Sequence, residues 1–398
     1  RKLIVLLEIQ NQWQYLPARF PAPHRTRRSL MHPNKHDLFG YNLKEFCVYP
    51  ERTYALMDKY RCDLLAAPFT EDGIVFFSFE DLKRIYSPRL TDADLPKDTQ
   101  KKNGFHYVPL YSYLETNMNL KCTSMQGRLV FAEEKPVETR MKNLFYDLYA
   151  RDKKLGDLYH VFWCKNLNRM LPYRLYVPTW YNDNAPLRLM VLMHGGGGNS
   201  DELFDASQNR LQKFAEKERY LLLAVDCGVK NSTYGCLSLP KGADVPSIDD
   251  TCPDNPLHLS LETIQARKYS EKAVAEVIAL VESRYAIDTE HRYLFGNSMG
   301  GMGAFHFPLN HRNFFRAVIP AGAAPDPRFF HFDELHDLPI LIIAGTEDYH
   351  GYDHIYEVYE YCRSLGLNVN FLPVAGGRHE DCWADVLPEI FAFCRKNS

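Results

Sequence analysis

The chain has 398 residues, 45% of them hydrophobic, with 47 basic side chains against 50 acidic ones. That length exceeds one average domain and favours two; the apolar share excludes a disordered chain, and the balanced charge implies no nucleic-acid partner. The longest strongly apolar run near the start, LIVLLEI, is broken by Glu8 and falls far short of the roughly 20 residues that cross a bilayer, so no membrane span is expected.

From Arg1 onward no intact signal peptide can be read. Residues 16–36 (LPARFPAPHRTRRSLMHPNKH) are rich in Pro, Arg and His without apolar periodicity, and residues 1–49 are expected to form an irregular arm or linker. Residues 50–150 are expected to form a small α+β domain, because they hold a weak internal repeat: DGIVFFSFEDLKRIY from Asp72 and NGFHYVPLYSYLETNM from Asn103. In each copy a two-residue turn that tolerates positive φ leads into a strand and then a short helix, with Phe79, Leu82 and Ile85 or Leu110, Leu114 and Met118 at helical spacing. The DG or NG turn followed by an apolar strand, YVPL in the second copy, resembles the copper amine oxidase-like N-terminal domain, a stalk module of exported bacterial proteins. The resemblance covers about residues 50–133 and implies a secreted or cell-surface location with a spacing role; it implies no copper. A cytoplasmic location is the alternative.

From about residue 155 the pattern changes to alternating strand and helix signals, which predicts a mostly parallel sheet covered by helices over 155–398. RLMVLMH, YLLLAVD, RYLFGN, AVIPAG, PILIIAG and NVNFLPVAG read as buried strands. The clearest helix places Ala273, Val274, Val277, Ile278, Val281 and Tyr285 on one face, just before RYLFGN. Ten cysteines are scattered without CxxC spacing, which excludes a zinc ribbon or a thioredoxin-like motif. Cys227, Cys236 and Cys252 share a loop-rich stretch, where a disulfide and buried free thiols are equally good expectations. The loop from Asp226 to His258, rich in Gly, Pro and Asp, is the expected substrate-facing excursion.

The chemistry concentrates at GNSMGG, from Gly296 to Gly301, where a strand meets a helix. A serine hydroxyl is a poor nucleophile unless it is held in the open beside a base, and a sharp strand-to-helix turn flanked by glycines does this. MHGGGGN, from Met193 to Asn199, follows another strand. Its glycines let backbone N–H groups approach a developing oxyanion, so Gly196, Gly197 and the amide of Met299 are the expected oxyanion hole. The alternative, a phosphate loop, lacks the GK[ST] or GxGxxG spacing. Asp348 ends the strand and turn PILIIAGTED, and His379 lies in GGRHEDCW after the next strand, in the chain order nucleophile, acid, base. Glu347 is the adjacent alternative acid. Tyr349, Cys382 and Trp383 adjoin these groups and are expected to shape the pocket, with core packing behind the loop as the competing role for all three; Tyr349, Trp383 and His194 are the candidate substrate-binding residues. His350 and His354 lack the Glu of a zinc helix, and no metal or other cofactor is expected.

Together these segments resemble the α/β-hydrolase esterases related to feruloyl esterases and polyhydroxybutyrate depolymerases over roughly residues 165–398. The resemblance implies an α/β-hydrolase fold with a mostly parallel central sheet, and Ser298 as nucleophile with Asp348 and His379 as partners. It further implies hydrolysis through an acyl-enzyme of a small-molecule or polymeric ester, with a hydroxycinnamoyl, short-chain or polyester-type acyl group. A serine peptidase or acyltransferase on the same scaffold, and a non-catalytic surface-binding protein, are the competing expectations. The sequence carries no signal for an oligomeric state.

Overall fold

The computed structural model describes residues 43–133, 154–243 and 259–398, apart from positions 88, 98, 126, 127 and 183. The expected basic arm at 16–36, Cys252 and the second half of the 226–258 loop lie outside the described residues.

The N-terminal part contributes β1 (Glu45–Val48), β2 (Tyr54–Met57), β3 (Tyr60–Asp63), β4 (Phe69–Glu71), β5 (Ile74–Ser78), β6 (Gln100–Lys102), β7 (Phe105–Pro109), β8 (Lys121–Met125) and β9 (Arg128–Ala132). Both copies of the repeat fold as turn, strand and helix. Asp72 and Gly73 (φ 49° and 78°) and Asn103 and Gly104 (φ 52° and 85°) make the two-residue turns that the right-handed twist of a hairpin favours. β5 and β7 then pair antiparallel at the centre of a four-stranded sheet, relating the two copies side by side. Ser78 caps the helix Phe79–Ile85 by accepting the Asp81 N–H at 3.1 Å.

The C-terminal part adds β10 (Gly156–Cys164), β11 (Arg169–Val177), β12 (Leu187–Met193), β13 (Tyr220–Val225), β14 (Ile287–Asn297), β15 (Ala317–Ala321), β16 (Ile340–Gly345) and β17 (Val369–Val374). Their spatial order is β10-β11-β13-β12-β14-β15-β16-β17, parallel from β13 through β17 and antiparallel at β11. This is the α/β-hydrolase fold. The parallel strands are apolar on both faces because helices cover both. Leu189, Val191 and Met193 of β12 face a core shared with the helices Leu261–Glu282, Met299–Asn310 and Tyr352–Ser364. Met190 and Leu192 face the other core, with Leu211 and the C-terminal helix Leu387–Lys396.

The two parts are more closely joined than the expected division at 150/155 implies. β3 pairs in parallel with β10, so one sheet of thirteen strands among the described residues runs through both. Val161 of β10 and Met170 of β11 are packed into the N-terminal core beside Phe77 and Val108. The N-terminal part also starts earlier than expected: Glu45–Val48 is a buried strand between β2 and β9, and its apolar residues were too few for a strand pattern to stand out from the arm before it.

One buried polar joint ties the central helices together. Glu271, on the helix Leu261–Glu282, lies 3.2 Å from both His306 Nε2 and His311 Nε2 and accepts from Asn310 Nδ2 at 3.0 Å. Burial alone would raise this carboxyl, but the hydrogen bonds from His306, His311 and Asn310 outweigh it and bring it down to about 2. A carboxyl depressed on folding adds stability above its unfolded range and loses it as pH falls toward the folded value. Glu271→Gln is therefore expected to lower the urea midpoint at pH 7, and the gap from the parent protein should close between about pH 5 and pH 2. A gap that stays constant across that range would show that the carboxylate charge contributes nothing.

Candidate active site

The carboxyl ends of the parallel strands carry Ser298, Asp348, His379 and the HGGGG segment, as the crossover geometry of such sheets dictates. β14 ends at Asn297, and Ser298 turns the chain into the helix Met299–Asn310 with φ 54° and ψ −115°, a backbone conformation that side chains rarely adopt. Its N–H donates to the Ala321 carbonyl at 2.8 Å. The turn closes so tightly that a Cβ at Gly296 would lie 2.1 Å from the Gly300 carbonyl oxygen, and one at Gly300 would lie 2.1 Å from that of Met193. The flanking glycines are thus required by space.

His379 and Asp348 come from the loops after β17 and β16. His379 Nε2 lies 2.7 Å from Ser298 Oγ, and Nδ1 lies 2.9 and 2.8 Å from the two Asp348 oxygens. The Asp348 side chain is wholly buried and the imidazole only 6% exposed. Asp348 Oδ1 also accepts the His350 N–H at 2.8 Å, which fixes the carboxylate from its own loop. Glu347 takes no part in these contacts; its N–H donates to the Gly377 carbonyl, which pins the acid loop to the loop that carries the histidine.

Met193 of β12 is paired with Gly296 of β14, so the HGGGG segment emerges beside the serine. Gly195 abuts Ser298: a Cβ placed on it would sit 3.6 Å from that of the serine. Gly196 and Gly197 are exposed with open space around them, and Met299, as the first helical residue, has an N–H with no intrahelical acceptor.

Two of the candidate substrate-binding residues do not reach the site surface. Trp383 is 0% exposed, packs edge-on against Phe295 at 5.3 Å and donates Nε1–H to the Glu380 carbonyl. It anchors the histidine loop to the core. His194 is 1% exposed, with Nδ1 2.7 Å from the Gly195 carbonyl oxygen and Nε2 accepting the Cys227 N–H at 3.4 Å. With Asp226 and Cys227 it forms a close trio of ligand-type side chains, but both ring nitrogens are already engaged within the fold. Tyr349 differs: it is 67% exposed, with its ring 5.0 Å from that of His379. His350 stands edge-on to the same imidazole at 4.3 Å. Burial, and then the nearby His379, hold the His350 imidazole below its ordinary range. Cys227 and Cys236 are buried free thiols.

Three further residues support the site without a conspicuous sequence signal. Gly322 (φ 57°) directly follows β15, and a Cβ there would come within 3.2 Å of the His379 ring. Tyr234 Oη accepts the His194 N–H at 3.1 Å. Glu202 Oε1 accepts the Gly195 N–H at 2.9 Å. Glu202 follows the glycines within the string HGGGGNSDE, and an acid so close to a side-chain-free loop is the one hint that was available.

A sheet of this order with a strained serine, an imidazole and a buried carboxylate at its carboxyl edge defines an α/β hydrolase. The model of the putative esterase family matches residues 164–364, just over half of the chain, and the chain belongs to that family. Among solved structures it is similar to a thermostable esterase at 20% identity over 61% of this chain and 63% of that one, with a TM-score of 0.45. It is also similar to a ferulic acid esterase (17% identity, 61% of this chain and 98% of that one, TM-score 0.46). A fluorophosphonate-binding serine hydrolase of Staphylococcus aureus shows 13% identity over 60% of this chain and 98% of its own, with a TM-score of 0.44.

The close contact at Gly300 gives a direct check on this geometry. Gly300→Ala should cost at least about 2 kcal/mol in guanidinium unfolding, because the methyl has only rigid backbone to displace. A variant within about 0.5 kcal/mol of the parent would mean that the turn is looser than described.

Proposed function

We propose that the protein is a serine carboxylic-ester hydrolase that works through an acyl-enzyme on Ser298. The observation that carries this reading is the 2.7 Å contact between His379 Nε2 and Ser298 Oγ, with the same imidazole held by a buried carboxylate at Nδ1. Asp348 keeps the Nδ1 proton in place, which leaves the Nε2 lone pair facing the hydroxyl. Ser298 Oγ then attacks the ester carbonyl while its proton passes to Nε2. The N–H groups of Met299, Gly196 and Gly197 would hold the oxyanion. The imidazolium next gives its proton to the departing alcohol. In the second half, His379 takes a proton from water, the hydroxide attacks the acyl carbonyl, and the acid leaves as Oγ is reprotonated.

Among hydroxycinnamoyl, short-chain and polyester-type esters, the surroundings favour an aromatic acyl group. Tyr349 presents an open ring next to His379, and flat aromatic faces attract aromatic ligands by offset or edge contact. Tyr349→Ala is expected to raise KM for methyl hydroxycinnamates about fivefold, corresponding to a ring contact of roughly 1 kcal/mol, with little change for p-nitrophenyl acetate. Equal effects on both esters would count against the aromatic assignment.

The central test is Ser298→Ala. It should lower ester turnover by about a millionfold and abolish labelling by a fluorophosphonate. Retained labelling would place the nucleophile elsewhere. Turnover of amides at rates comparable to esters would support a peptidase instead, and preferential transfer to an added alcohol an acyltransferase.

A further inference from the structure

The glycine loop beside Ser298 has few constraints of its own. Glycine loses more conformational freedom on ordering than any other residue, and at the exposed Gly196 and Gly197 even an added Cβ would meet nothing within 4 Å. The loop is tied down at its first glycine by Glu202, and the residue before Glu202 is one of the points where the N-terminal part makes contact.

Lys59, in the turn between β2 and β3, and Tyr60, the first residue of β3, both end on Asp201. Tyr60 Oη donates to Asp201 Oδ2 at 3.0 Å, and the Lys59 ammonium pairs with the same oxygen. The other oxygen of Asp201 lies 3.6 Å from Arg174 Nη1. Arg174, 4% exposed, is itself gripped by Asp157 at 2.8 and 2.7 Å and by Asp205 at 2.8 Å. The Tyr159 ring bridges the two cations, its centre 4.4 Å from Lys59 Nζ and 4.5 Å from the Arg174 guanidinium. Asp201 is further fixed along the backbone: its N–H donates to Asn199 Oδ1 at 2.8 Å and its carbonyl accepts the Asp205 N–H at 2.9 Å. Glu202 follows, and its carboxylate accepts the Gly195 N–H.

We infer that Lys59 and Tyr60 are positioning residues for the oxyanion loop: by locking Asp201 they fix the short helix that carries Glu202, and Glu202 in turn holds Gly195 and the amides after it against Ser298. The N-terminal part is then a component of the catalytic unit and not a spacer. Burial, reinforced by the Asp201 carboxylate, raises the Tyr60 phenol well above the ordinary tyrosine range, so it remains a donor at neutral pH. The inference rests on the esterase reading above. It implies that loosening the clamp weakens transition-state stabilisation more than ground-state binding, so kcat falls while KM holds.

The experiment uses the full chain carrying Lys59→Met and Tyr60→Phe together, with p-nitrophenyl acetate as substrate and rates normalised to sites titrated by a fluorophosphonate. About a tenfold loss of kcat with KM within roughly twofold is expected, a fraction of what losing one oxyanion donor outright brings. Lys59→Arg alone, which keeps the cation, should retain near-parental kcat. Asp63→Asn is the control: it breaks the 2.8 Å pair of Asp63 with Arg284, which joins the same two parts without touching Asp201, and should leave kcat unchanged. An unchanged kcat in the double variant overturns the inference, as does an equal loss in Asp63→Asn, which would mean general loosening. Where the double variant does not fold, Glu202→Ala interrupts the last link within the C-terminal part. It should lower kcat in the same way, with Glu202→Gln recovering most of the loss; parental kcat in Glu202→Ala again overturns the inference. If instead the parent is not labelled, or Ser298→Ala keeps its turnover, it is the esterase reading that fails.

Discussion

The site depends on two close approaches of backbone to backbone. Ser298 holds φ 54° and ψ −115° where the strand before it and the helix after it touch without side chains between them, at Gly296 and Gly300, and where Gly300 in turn meets the Met193 carbonyl of β12. Such a conformation costs on the order of 1–3 kcal/mol and persists only where surrounding packing determines it fully. Here the packing is a strand with both faces buried and a helix that begins at the strained residue. The second approach, Met193 against Gly300, lies where β12 pairs with β14, and that pairing delivers the glycine loop next to the hydroxyl.

The charged groups around that turn are buried but paired, and the pairing gives them orientation. The Asp348 carboxylate, wholly out of solvent, accepts from the His379 ring and from the His350 amide, so it is neither unsatisfied nor free to rotate. Trp383 behind the histidine loop and Gly322 beneath the ring define where the imidazole stands: one fills the core below the loop, and the other leaves the space that the ring occupies. Arg174 follows the same rule at the junction with the N-terminal part. Alone at 4% exposure it would be strongly unfavourable; among Asp157, Asp201 and Asp205 it becomes a fixed point on which two regions of the chain converge.

The junction also explains why the N-terminal part does not behave as a separate bead. A linked domain usually meets its neighbour through a modest polar interface. Here β3 is hydrogen-bonded to β10, and Val161 and Met170 lie within the N-terminal core. Any displacement of one part would expose a sheet edge and open apolar contacts in the other.

The sequence by itself determined the elements whose causes are local. The DG and NG turns, the apolar runs of the parallel strands and the glycine-flanked serine are each dictated by the conformational range or burial preference of a few adjacent residues, and the order of Ser298, Asp348 and His379 along the chain matches the order of strands in this fold. Tertiary structure alone decided which neighbours of those groups look outward. Tyr349 and Trp383 lie close to Asp348 and His379 in the sequence, yet one ring is open to solvent and the other is packed on Phe295, because the core behind each loop differs. Adjacency likewise could not reveal that Lys59 and Tyr60 meet Asp201 or that Gly322 makes room for a ring from another loop. Those contacts join strands far apart in the chain, and they exist only once the sheet has brought its edges and turns together.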